Sequence, residues 1–171
     1  MVKNPSQKIR KLCKLVMENF IENAPISENL IEKFLMKLVN NLNFEYAEGR
    51  FETTDLLLKF VVKFPVNLIA EHIDVMLLGV ITSIVNEQNF SIKQKMKVLA
   101  SQLILNMIAE EMNQKLDSFI KFSENFLQST KTETKRAGIV LIESMFSAGL
   151  RDNRMKSKLK FVLGLFEQTS S

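Results

Sequence analysis

The sequence predicts an all-α chain built as an α-solenoid of HEAT- or armadillo-like hairpins, four hairpins and eight helices in a single segment spanning residues 1–171. Three observations carry that expectation. Five glycines and three prolines in 171 residues leave little for the turns of a β-sandwich, while the abundant Leu, Lys, Glu, Met and Ile favour helix. Apolar residues recur at spacings of three and four along most of the chain, one face of a helix. The first helices of successive hairpins begin near residues 5, 48, 91 and 131, intervals of 43, 43 and 40 residues, within the roughly 40–47 residues of HEAT and armadillo repeats.

The elements follow in order. Asn4 and Pro5 read as N-cap and first helical position, ahead of a stripe of Ile9, Leu12, Val16 and Phe20 that ends before Ala24-Pro25. Ser27 is placed to cap a second helix carrying Leu30, Ile31, Phe34, Leu35, Leu38, Val39 and Leu42. A third helix starts at Glu48-Gly49-Arg50 and carries Phe51, Leu56, Leu57, Phe60, Val61 and Phe64 before Pro65. The fourth runs through Ile69, Ile73, Met76, Leu77, Val80, Ile81 and Ile84. Ser91 with Gln94 forms a capping-box pattern for a fifth helix, and Thr130 with Glu133 another for a seventh that Gly149 would cap. The sixth lies between them, with Leu116, Phe119, Ile120, Phe126 and Leu127. The eighth would start near Asp152, ahead of a short disordered tail at 168–171. Each hairpin is too thin to bury its own apolar face, so neighbours must stack. Periodicity alone also permits a closed bundle of eight short helices.

Composition narrows the setting. With 46% hydrophobic and 25% charged residues the chain should fold. The lone Cys13 makes no internal disulfide, which fits a reducing compartment. The longest uncharged runs, Val75 to Asn86 and Val98 to Ala109, are 12 residues each, and a membrane span needs roughly 20. No membrane partner is expected. The basic N-terminal pattern lacks the apolar region and cleavage site of a secretory signal.

Chemistry is hard to place in this sequence. The single histidine, His72, has no second histidine or cysteine cluster with which to hold a metal, and no G-x-S-x-G element accompanies it. Glu110 and Glu111 are neighbours that point about 100° apart on a helix. No G-x-G-x-x-G or G-x-x-x-x-G-K loop is present. Met76, Met96, Met107 and Met145 fall on apolar stripes and read as core. No catalytic residue, cofactor, metal or small-molecule substrate is expected.

Charge distribution gives the one functional lean. Residues 1–14 carry five basic groups and no acid, residues 131–160 eight basic and three acidic, and residues 15–130 ten basic and fifteen acidic. Lys8, Arg10, Lys11 and Lys14 cluster at one end; Arg151, Arg154 and Lys158, at i, i+3 and i+7, share a helix face at the other. Both rows are candidates for contact with an RNA backbone. The plainer reading is a solvated surface, because lysine outnumbers arginine and no aromatic residues are interleaved for base stacking.

The stretch Glu45–Pro65 gathers an E-G-R element, a helix and K-F-P: Glu48, Gly49, Arg50, Leu56, Leu57, Val61, Lys63, Phe64 and Pro65. On these residues the chain resembles the DRIM family of giant HEAT-repeat proteins. The similarity extends at lower density through IVNEQNFSIKQKMKVLASQLI, Ala137-Gly138 and LKFVLGLFE, about residues 40–167. The resemblance implies a nucleolar, non-catalytic scaffold of the small-subunit processome, with ribosome-assembly proteins and the pre-rRNA backbone as partners. Members of that family are far longer than this chain, so no partner site is carried over. A HEAT-type adaptor in trafficking or nuclear transport is the alternative. Within the motif, Gly49 is expected to permit a tight turn between the second and third helices, and Pro65 to end the third. Glu48 would face the positive helix end, and Arg50 would reach acids or carbonyls of a neighbouring hairpin.

Overall fold

The computed structural model describes residues 6–23, 27–109 and 112–149. No strand occurs among them, and the fold is all-α. The eighth predicted helix and the row Arg151, Arg154 and Lys158 lie outside the described residues, as do Glu110 and Glu111. By packing, the chain divides into two compact units, Met1–Leu103 and Ile104–Ser171.

The first unit contains α1 (Gln7–Asn23), α2 (Glu28–Asn41), α3 (Ala47–Lys63), α4 (Val66–Ile69), α5 (Ile73–Asn86) and most of α6 (Phe90–Ala109). Helix α3 is flanked by α1 and α2, and α2 packs on α5. The core is built from faces spaced at three and four residues. Ile31, Leu35, Leu38 and Leu42 come from α2, Leu56, Leu57, Phe60 and Val61 from α3, and Met76, Leu77, Val80, Ile81 and Ile84 from α5. Burying each such side chain contributes about 1.5–3 kcal/mol. Phe60 stacks on Phe64 with centroids 4.2 Å apart and meets Phe34 at 5.8 Å, tying α3 to α2.

Several sequence expectations change here. Helix α1 does not bury the stripe read for it: Ile9, Leu12 and Val16 are 44%, 55% and 66% exposed. Its inner face carries Arg10, Lys14 and Glu18 instead, because α3 presents charged partners to it. The fourth predicted helix is broken by a 3-10 turn at Ala70–His72 between α4 and α5; Ile69 and His72 bracket it with φ near −105° and ψ near zero. Gly49 is the third residue of α3, so it does not make the interhelical turn.

The caps shift as well. Ser27 holds the N-cap position of α2 without a side-chain bond; its carbonyl accepts from Leu30 and Ile31 at 2.9 and 3.0 Å. Asn89 rather than Ser91 caps α6, its Oδ1 accepting the Ile92 N–H at 3.2 Å. Pro65 behaves as read: α3 ends at Lys63, Phe64 is extended (φ −83°, ψ 142°), and Pro65 opens α4.

The second unit holds the end of α6 and the hairpin of α7 (Asn113–Leu127) with α8 (Thr132–Gly149). Leu116, Phe119 and Ile120 of α7 are buried, as are Val140, Leu141, Ile142 and Met145 of α8. Helix α8 starts two residues after Thr130, and the Ser129 hydroxyl accepts the Lys131 N–H at 3.2 Å. The two helices touch at Gly138. A Cβ there would lie 3.0 Å from Phe126 Cβ and 3.2 Å from both Leu127 N and Ser123 O, so glycine permits this backbone approach.

Candidate functional site

Many charged residues of the first unit are exposed, but several pair across its helices. These line a seam on which α3 is central. Lys14 of α1 meets Asp55 at 2.5 Å and Glu52 at 2.7 Å, both on α3. Lys95 of α6 meets the same Asp55 and sits 3.9 Å from the centroid of the Phe51 ring. Glu18 of α1 is reached by Lys59 of α3 at 2.7 Å, and Lys63 donates to the Glu22 carbonyl. The pairs Lys14–Asp55, Asp55–Lys95, Glu18–Lys59 and Glu22–Lys63 stand 40 or 41 residues apart, as do Asn43 and Ser83, whose side chains are hydrogen bonded at 3.0 Å.

Burial of Asp55 opposes its ionisation, but hydrogen bonds from Lys14 and Lys95 overcome this and hold its carboxyl below the usual aspartate range. Burial likewise opposes the charge on Lys14, and bonds to Asp55 and Glu52 raise its ammonium above the ordinary lysine range. Arg10 is 6% exposed and lies 4.0 Å from Glu48. Of the α1 row, Arg10 and Lys14 are therefore drawn into the seam, while Lys8 and Lys11 remain exposed.

Arg50 occupies the second half of the site. Its Nε donates to Glu87 Oε2 at 2.6 Å and a terminal nitrogen to Oε1 at 2.9 Å, a bidentate pair. The other terminal nitrogen donates to the carbonyls of Phe44 and Glu45 at 2.7 and 2.9 Å. One guanidinium thereby fastens the α2–α3 connection to the α5–α6 connection. Glu87 also accepts the Asn89 N–H at 2.8 Å, at the start of α6. Its side chain is 1% exposed. The hydrogen bonds from Arg50, against the cost of burial and with help from Asn89, keep its carboxyl below the usual glutamate range. Arg50 meets an acid and carbonyls, but these lie in the connections flanking its own α3–α5 hairpin rather than within a neighbouring one. Glu48 stands in the first turn of α3, as read.

Sequence reasoning missed Glu87, Asp55 and Glu52. The available signal was opposite charge at a separation near 40 residues, Lys14 to Asp55 to Lys95, which becomes visible only when the hairpins are laid over one another. His72 is half-buried in the 3-10 turn, and no cluster of three metal-ligating side chains occurs among the described residues. No described helix is long and apolar enough to cross a membrane. An open cleft of about 310 Å³ lies beside the seam, with Arg10, Lys11, Glu48, Phe51 and Asn89 on its walls. What the arrangement does is mechanical: it fixes one helix against the next through charge. Set against family models, curated proteins and solved structures, the chain matches none of them.

Proposed function

We propose that the chain is a non-catalytic helical-repeat scaffold that works in assembly of the small ribosomal subunit, in the nucleolus. The observation that carries the scaffold reading is the recurrence of side-chain contacts at 40–41 residues along α1, α3 and α6. Stacked hairpins of one period need such neighbour contacts, since each buries its faces only against the next. The ribosomal part of the reading rests on the E-G-R to K-F-P stretch. Its Arg50 ties successive connections together and its Pro65 directs the return.

The test is co-purification and depletion. A tagged chain should recover pre-ribosomal RNA with small-subunit assembly proteins, and its depletion should accumulate unprocessed small-subunit precursor while large-subunit processing continues. Recovery of coat, vesicle or import factors, with normal rRNA processing, would replace this reading with a peptide-binding adaptor. One observation favours that second reading: Arg10 and Lys14 are consumed within the fold, so α1 offers RNA little exposed charge.

A further inference from the structure

Helix α1 carries its apolar residues on the outside. Ile9, Leu12, Leu15 and Val16 are 44%, 55%, 61% and 66% exposed, and Phe20 is half-exposed on the same side. Ile9, Leu12, Val16 and Phe20 fall within about 100° of one another around the helix. This is a contiguous apolar stripe of the kind that marks an interaction surface. The opposite face is committed to α3 through Lys14 and Glu18, so α1 cannot turn the stripe inward without breaking those ion pairs.

The charges beside the stripe specify what covers it. Lys8, Leu15 and Glu22 are all exposed and stand seven residues apart along one flank. The flank therefore begins with a cation and ends with an anion around an apolar centre. An antiparallel copy of the same helix complements it: Lys8 meets Glu22, Leu15 meets Leu15, and Glu22 meets Lys8. In the same register Leu12 of each helix packs against Val16 of the other. On the far flank Cys13, half-buried beside the stripe, comes opposite Met17 of the other copy. A parallel pairing would instead set Lys8 against Lys8 and Glu22 against Glu22.

We propose that α1 is a homodimerisation surface, pairing antiparallel with α1 of a second copy about a two-fold axis near Leu15. Such an interface is isologous, each half being its own complement. A single helix pair is smaller than a standard protein interface. The dimer is accordingly weak, with a Kd between about 1 µM and 1 mM. This proposal is independent of the ribosomal reading.

Sedimentation equilibrium on the full chain tests it. The mass should climb with concentration from 19.7 kDa toward twice that value. Leu12→Glu with Val16→Glu should hold the chain monomeric with an unchanged denaturant midpoint, both side chains being exposed. Lys8→Glu should weaken association at least several-fold, and adding Glu22→Lys should restore it. A chain that stays monomeric to about 1 mM overturns the proposal. So does association indifferent to the Leu12/Val16 change, or a charge exchange that fails to restore it.

Discussion

Arg50 and Glu87, 37 residues apart, form a two-point hydrogen-bonded pair at 2.6 and 2.9 Å, with the carboxylate almost wholly removed from solvent. Breaking such a pair from one side leaves a charge buried alone, which costs about 3–5 kcal/mol. Arg50→Ala is therefore expected to lower the denaturant midpoint strongly, and Arg50→Lys to lower it less, because an ammonium cannot reproduce the fork. Chemical denaturation followed by circular dichroism checks both. An Arg50→Ala loss under about 1 kcal/mol would mean that water takes over the role of the guanidinium.

The seam predicts a stability plateau in pH. Asp55 and Glu87 have folded pKa values below their unfolded ones, so their contribution is present above about pH 4–5 and is lost as pH falls through the folded values. Lys14 has a raised folded pKa; its contribution is full below about pH 10 and is lost as pH rises through the folded value. Thermal midpoints measured from pH 2 to 11 should fall off at both ends. In Glu87→Gln the acid limb should be shallower.

Two glycines invert the usual helix preference. Replacing a helical glycine with alanine normally gains up to about 1 kcal/mol. At Gly79 of α5, however, a Cβ would lie 2.6 Å from Val39 Cγ1 of α2, and valine is stiff at χ1. Gly79→Ala should cost about 1–3 kcal/mol, with recovery when Val39→Ala is added. At Gly138 the opposing atoms include backbone of α7, so no single side-chain truncation should rescue Gly138→Ala. Urea melts of the single and double variants distinguish the two sites.

Leu57→Ala should lose about 2–5 kcal/mol, since the side chain is fully buried in α3. Val16→Ala should change stability by less than about 0.5 kcal/mol despite its place in an equally regular stripe. Comparable losses at the two positions would put Val16 in the core.

The contrast between those residues shows what the sequence could and could not reveal. Period 3.6 identifies a helix and its apolar face, and it placed the buried sides of α2, α3 and α5 well. It does not say which face the rest of the chain covers. For α1 the choice was made by Asp55, Glu52 and Lys59, partners about 40 residues away whose pairing outweighs the apolar preference for the inside. Arg50 was legible because it stands in the first turn of a helix that ends just before Pro65. Its partner Glu87 looked like an ordinary acid before the next helix.

If α1 touches RNA, it does so through Lys8 and Lys11. Replacing both with alanine should then flatten the slope of log affinity against log salt by about 1.4–1.8, at 0.7–0.9 for each phosphate contact. Arg10→Ala and Lys14→Ala should instead lower stability. Filter binding across a salt series, beside melts of each variant, separates the two classes of residue. A flattened slope in a fully folded Lys14→Ala variant would contradict the geometry of the seam.

Asp55 stands between Lys14 and Lys95, so the sign of charge alternates from α1 to α3 to α6. Helices packed side by side invite the idea that they are interchangeable tiles, free to be deleted or duplicated. Here they are not. Excising the stretch that holds α3 to α5 would bring α1 and α6 together as neighbours and set lysine against lysine, while duplicating it would set aspartate against aspartate. Like charges at that distance repel. The seam therefore encodes the order of α1, α3 and α6 as well as their adhesion.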